Sequence, residues 1–300
     1  MKRGESAAPQ RIPRAKPRHE AVAPTYPEIR AGQSIALLKA LHILTADGRM
    51  NQDSRRKLKQ VYHLVQFIEP LLAEIVALRG EIQLVDHGAG KSYLGFILYD
   101  LFFKTLAVDH HVFGIETRAD LVEKSRMLAT TLGFQHMSFL NLSVEASLTA
   151  PEIVGEIDVV TALHACNTAT DDAIAFALAK RAKHIVLVPC CQADIAGLFR
   201  KNKADDLAGN PLTELWRRPV HTREFASHIT NVLRCLQLEA HGYQVTATEL
   251  VGWEHAMKNE LIIATDKKLP GKKAAVRLEE MLATFGLGEM RARFLGGVAR

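Results

Sequence analysis

Four short polar clusters in this chain have the residue types that could hold a nucleoside and act on something beside it. Asp86-His87-Gly88-Ala89-Gly90 follows the apolar residues Ile82, Leu84 and Val85, so a carboxylate and two glycines fall at the end of a short buried strand. Glycine tolerates positive φ and lets a ligand approach the backbone. A helix starting at Tyr93 would point free N–H groups back over that turn. Glu116-Thr117 closes a second apolar run, where a carboxylate can accept both hydroxyls of a ribose. Ser143 and Val144 end a third run and would flank an adenine. Leu163 closes a fourth, followed by His164-Ala165-Cys166-Asn167, which brings an imidazole, a thiol and an amide together. An imidazole titrates near neutrality, so His164 could take a proton from an acceptor or contact the cofactor.

Spacing separates three nucleotide readings of the glycine turn. A phosphate-cradling loop ending in Gly90-Lys91-Ser92 needs its first glycine where Val85 stands, and that reading fails. A dinucleotide fingerprint needs its third glycine at the position of Tyr93, which disfavours an NAD-dependent oxidoreductase. What remains, an acid followed by Gly-x-Gly, resembles the first motif of class I S-adenosylmethionine-dependent methyltransferases. Pro189-Cys190-Cys191 ends a fifth run. Adjacent cysteines chelate a metal poorly and no second pair has zinc spacing, so no metal is expected. The pair could supply a thiolate nucleophile to a pyrimidine ring. Small soft residues packed beneath the site are the simpler reading.

The elements that must position these clusters follow from periodicity. Ser34 to Leu44 reads as a short helix. From Arg55, the positions Leu58, Val61, Leu64, Val65, Ile68, Leu71, Leu72 and Ile75 recur at helical spacing, as one long helix or two broken near Pro70. Lys59, Gln60 and His63 on it could face the crevice. Strands and helices then alternate, the pattern of a parallel sheet. Strands end at Asp86, Glu116, Leu142, Leu163 and Val188, with helices over 93–104, 119–132 and 170–182. Residues 193–220 read as a polar, irregular insertion or lid. A helix over 222–241 precedes two edge strands, 244–251 and 260–265, and a short helix covers 274–285.

Composition sets the outer limits. The 300 residues are nearly half apolar with a net charge of +5, the excess concentrated in the tails, which suits an anionic partner such as RNA. Residues 1–30 are basic and proline-rich and are expected to be a disordered tail. Residues 31–266 form the catalytic domain and 267–300 a basic C-terminal extension. No apolar run reaches the ~20 residues of a membrane span, so no membrane association is expected. The four cysteines form no secreted disulfide framework, which points to the cytoplasm. Oligomeric state is open.

Taken in order, Val-Asp-His-Gly-Ala-Gly-Lys-Ser-Tyr-Leu, Leu-His-Ala-Cys-Asn-Thr-Ala-Thr-Asp and Val-Pro-Cys-Cys-Gln resemble the methyltransferase-domain family of methyltransferase-like protein 25 and the glutathione-S-transferase C-terminal-domain-containing protein. They are also similar to 2′-O-methyltransferases of tRNA. The likeness spans about 58–264, and Lys59-Gln60 and His255 to Asn259 also look like family positions. Asn167 and Lys91-Ser92 depart from the family pattern. The resemblance implies an α/β, Rossmann-like class I methyltransferase fold, a mostly parallel seven-stranded sheet with helices on both faces. It implies S-adenosyl-L-methionine as cofactor, held by Asp86, His87, Gly88, Ala89, Gly90, Tyr93, Glu116, Thr117, Ser143, Val144 and Leu163. His164, Cys166 and Asn167 would line the methyl-transfer site, with RNA (tRNA or rRNA) as the expected acceptor. An RNA-binding protein on an inactive scaffold, or a methyltransferase of a protein or small molecule, are the alternatives.

Overall fold

The computed structural model describes residues 27–163, 168–189, 194–201, 214–215, 217–250 and 260–296. Among them one sheet is built from β1 (Glu81–His87), β2 (Asp109–Ile115), β3 (Met137–Leu140), β4 (Val159–Leu163), β5 (His184–Val188), β6 (Tyr243–Glu249) and β7 (Glu260–Asp266). Its order is β3-β2-β1-β4-β5-β7-β6. The first five strands run parallel, and β7 is antiparallel to both β5 and β6. β1 and β5 read as nearly continuous buried runs because a parallel sheet is covered on both faces. From β1 the chain runs out to β3 and then returns to β4. That reversal leaves a crevice at the carboxyl ends of β1 and β4, where open α/β sheets bind ligands.

The helices are α1 (Ile35–Ala40), α2 (Gln52–Arg79), α3 (Tyr93–Leu101), α4 (Ala119–Leu132), α5 (Val144–Leu148), α6 (Ala169–Ala179), α7 (Asp194–Lys201), α8 (Pro219–Ala240), α9 (Lys272–Thr284) and α10 (Arg291–Leu295). On one face of the sheet, Val85, Val160 and Ile185 pack with Ala173, Ile174 and Phe176 of α6 and Leu238 of α8. Asp86 lies on the opposite pleat and meets the start of α3, so α3 covers the other face. The mostly parallel seven-stranded sheet with helices on both faces is the architecture that the resemblance implies.

Several elements differ from the reading of the sequence. α2 runs unbroken through Pro70, from an Asn51 cap to Gly80 at φ 69°. Proline there costs one helical hydrogen bond, which the packing of Leu64, Val65, Ile68 and Leu72 offsets. By length and composition this helix could cross a membrane, contrary to the expectation that no apolar run is long enough. Its buried stripe, however, is spent on β1 and α3, and Glu69 and Glu74 lie within the same stretch. Residues 194–201, expected to be irregular, form α7. Ile195, Ala196 and Phe199 of α7 are buried with Leu233 of α8, Leu278 and Leu282 of α9, and Phe294 of α10. The stretch after residue 267 therefore contributes apolar core residues as well as charge. The helix over 93–104 stops at Leu101, followed by a single 3-10 turn. The chain divides into two units, Met1–Ala31 and Gly32–Arg300, of which the first is described only from residue 27, as turn and bend.

Candidate active site

The glycine turn after β1 is braced from beneath. Asp86 is 2 % exposed and sits directly opposite Thr161 in the β1–β4 register. Thr161 Oγ1 donates to Asp86 Oδ1 at 2.9 Å, and Ser92 Oγ donates to Oδ2 at 3.3 Å. The backbone N–H of Gly95 is a further donor. Burial pushes the Asp86 carboxyl up to about 6 although these three donors pull the other way. Asp86 thus holds the turn's shape from below, rather than standing on the open edge of the crevice. Three residues of the turn have positive φ: Gly88 at 66°, Gly90 at 57° and Ser92 at 50°. The left-handed conformation at Ser92 is strained for a side-chain-bearing residue, and its hydrogen bond to Asp86 helps hold it. A Cβ on Gly95 would come within 2.5 Å of Ser92 Oγ, so the helix start needs glycine there.

From β2, Glu116 reaches the same turn. Its Oε2 accepts from Gly90 N at 2.8 Å, and Oε1 accepts from Arg118 N at 3.0 Å and from Arg118 Nε at 3.3 Å. Burial alone would raise this carboxyl, but the Arg118 and Gly90 donors outweigh it and hold it below the usual range. Thr117 Oγ1 lies 3.3 Å from Glu116 Oε1. Asn141 Nδ2 donates to the carbonyls of Glu116 and Thr117, fixing the end of β2 from the end of β3. Ala89 N donates to Ile115 O, which ties the turn to β2.

His87 turns to the other face of the sheet, against Phe176 of α6 at 5.6 Å. It is 4 % exposed, and neither ring nitrogen has a hydrogen-bond partner. Burial pulls its imidazole down to about 4, partly opposed by Glu116, so it is neutral at neutral pH. Tyr93 points elsewhere, donating from its hydroxyl to Leu41 O at 2.8 Å and tying α3 to the segment after α1. Ser143 is the N-cap of α5, accepting from Ala146 N at 3.3 Å, while Val144 is half-buried against the core. Leu163, partly exposed, closes β4.

The structure therefore brings together Asp86, Gly88, Ala89, Gly90, Glu116 and Thr117, and it turns Tyr93 and His87 to either side of them. His164, Cys166, Asn167, Cys190, Cys191 and the 255–259 segment lie outside the described residues. Among the described residues no group of three or more His, Cys, Asp or Glu could hold a metal ion. Cys235 is free, and burial pushes its thiol up to about 12, far from a reactive thiolate. The sequence reading assigned no site role to Thr161, Ser92, Gly95, Arg118 and Asn141. Thr161 had a signal, a lone hydroxyl in the apolar strand Val-Val-Thr-Ala-Leu. The other four carried none that stands apart from ordinary loop and helix composition.

Residues 56–197, just under half of the chain, match the family model described as a methyltransferase domain (Methyltransf_32). The match covers the sheet from β1 to β5 together with the glycine turn and Glu116. Among solved structures, an rRNA methylase from Streptococcus thermophilus is 10% identical over 67% of this chain and 95% of its own, with a TM-score of 0.39. The magnesium protoporphyrin IX methyltransferase from Synechocystis PCC 6803, with bound SAH, is 12% identical over 77% and 94%, with a TM-score of 0.42. The CMeT domain of the citrinin polyketide synthase is 17% identical over 79% and 64%, with a TM-score of 0.44. The sequence has no match among curated proteins.

Proposed function

We propose that this protein transfers a methyl group from S-adenosyl-L-methionine to RNA. The observation that carries the cofactor assignment is the junction of Glu116 with Gly90, a carboxylate at the end of β2 bonded at 2.8 Å to the Gly90 amide of the turn after β1. That junction is built for a nucleoside lying across two strand ends. Gly90 leaves the approach open, since even an added Cβ would meet nothing nearer than 3.7 Å. The Arg118 side chain is 64% exposed, so it can release Glu116 to ribose hydroxyls while the Gly90 amide stays in place.

When bound, the cofactor supplies an electrophilic methyl group on sulfur. The chain's task is alignment of an acceptor in line with that carbon, and removal of the acceptor's proton where one is lost. On the sequence alone, His164, Cys166 and Asn167 are assigned to the acceptor side. The preference for RNA rests on the net charge of +5 and the basic first thirty residues.

Isothermal titration with S-adenosylhomocysteine tests the cofactor reading, and no heat at high micromolar ligand would sink it. Glu116→Ala should weaken that binding by about 2 kcal/mol, roughly thirtyfold in Kd; unchanged affinity removes Glu116 from the ribose role. Mass spectrometry of nucleosides from cells lacking the protein tests the acceptor. Loss of one methylated nucleoside supports RNA, and an unaltered nucleoside profile rejects it.

A further inference from the structure

On the far side of the crevice, beyond β4, lies a second buried polar assembly. Its centre is Arg234 in the middle of α8, the largest side chain fully withdrawn from solvent among the described residues. Arg234 Nε donates to Asp171 Oδ1 at 2.6 Å and Nη1 donates to Asn231 Oδ1 at 3.1 Å. Asn231 Nδ2 in turn donates to Glu260 Oε2 at 2.6 Å. Arg293 of α10 bridges Asp171 Oδ2 at 3.5 Å and Asp194 Oδ2 at 3.1 Å. Gln237 Nε2 holds the Arg293 carbonyl at 3.2 Å.

The three carboxylates have related places in the fold. Asp171 lies in the first turn of α6, after β4, and Asp194 opens α7, after β5. Glu260 opens β7, and the antiparallel register of Leu187 with Ile262 sets that start beside the end of β5. All three therefore lie at the sheet edge that carries the glycine turn, across the reversal point from Glu116. An apolar side chain at position 234 would avoid the cost of desolvating a cation. Replacing buried ion pairs by apolar groups is often neutral or stabilising. The assembly is thus better explained by the geometry it imposes than by the stability it adds.

We propose that Arg234 and Arg293 are positioning residues that lock the starts of α6, α7 and β7 into one rigid wall facing the acceptor. What the wall faces rests on the methyl-transfer reading above; the locking itself does not. A cofactor held over β1 and β2 by the turn and Glu116 leaves the β4, β5 and β7 side for the acceptor to approach from. In-line transfer is sensitive to misplacement on the order of 1 Å, which costs up to ~100-fold in rate.

Arg293→Met tests this, because Arg293 is partly exposed and its loss leaves the Arg234–Asp171 pair in place. Hydrogen exchange measured by mass spectrometry should speed up together in peptides covering 168–173 and 194–201, which Arg293 bridges, while 260–263, held through Asn231 and Arg234, keeps its protection. Peptides covering 81–92 and 109–118 should keep their protection, and S-adenosylhomocysteine affinity should stay within about twofold. Tritium transfer from labelled cofactor to total RNA from cells lacking the protein should fall about tenfold or more through kcat. Arg293→Lys, which cannot bridge two carboxylates with a planar fork, should recover only part of the rate. Unchanged exchange in the 168–173 and 194–201 peptides, or a uniform rise along the chain, overturns the proposal. If the unaltered protein binds no S-adenosylhomocysteine or transfers nothing to RNA, the methyl-transfer reading fails, and the exchange pattern still decides whether the wall is locked.

Discussion

Asp86 and Asp171 are both aspartates withdrawn from solvent near the same edge of one sheet, yet they are held by different chemistry. Among the described residues Asp86 meets two hydroxyls and a backbone N–H and no cation, and burial raises its carboxyl to about 6. Asp171 lies between two guanidiniums, 2.6 Å from Arg234 and 3.5 Å from Arg293. The first brace is nearly local, gathering Ser92 and Gly95 from the following turn and one register partner, Thr161. The second joins residues 63 and 122 positions apart. A turn that must hold one cofactor shape can be built from neighbouring residues and a strand pairing. The opposite wall is assembled from remote elements, and directional charge pairs fix their relative placement.

Removing Arg234 should expose this difference most sharply. Arg234→Met leaves Asp171 buried with one distant partner and should cost about 3–5 kcal/mol of stability in denaturant unfolding. Pairing it with Asp171→Leu should recover much of that loss, since two apolar groups replace the pair. A single-variant cost below about 1 kcal/mol would mean the wall is held by packing alone.

The next effect is in pH dependence, and it sharpens the account of the turn. The Asp86 carboxyl is raised from 3.8 to about 6 on folding, so its contribution to stability declines as pH rises through that window. The neighbouring His87 imidazole is lowered from 6.5 to about 4, so its contribution is full above 6.5 and is lost as pH falls toward 4. The two slopes oppose each other between about 4 and 6. Asp86→Asn should therefore lose stability more steeply on acidification than the unaltered protein, by about 2–3 kcal/mol. His87→Phe should flatten the acid side instead. Parallel unfolding profiles for all three proteins across pH 4 to 7 would break the assignment.

The smallest effect is expected at Ser92. Ser92→Gly relieves a left-handed side-chain-bearing residue, worth about 1–2 kcal/mol, and loses a long hydrogen bond to Asp86 of about 1 kcal/mol. Stability should shift by no more than about 1 kcal/mol, read as a change of a few degrees in Tm. A larger loss would make the Ser92–Asp86 bond the main support of the turn.

The difference between the two regions also explains how much of the molecule was legible beforehand. The strands after Ile82 and the Gly88–Gly90 turn stand out because apolar runs and glycines are local signals. Glu116 was placed by its position at a strand end. α7 was missed because eight residues with an apolar face, Ile195, Ala196 and Phe199, sit in a polar stretch. Ser143-Val144 was read as an adenine contact, but the same serine caps a five-residue helix, a role its local sequence fits equally well. Pro70 left one long helix or two open, and the structure has one.

The sequence by itself determined the alternation of strands and helices, the place of the glycine turn and the acid after the second strand. Each of these depends on residues within one element or its immediate neighbours. Only the tertiary structure decided which way Asp86 faces, that Thr161 lies opposite it, and that Glu116 bonds Gly90. It alone brought Arg234, Arg293 and three distant carboxylates into one assembly. Register and long-range pairing depend on how whole elements pack against one another, and no short stretch of residues encodes that outcome.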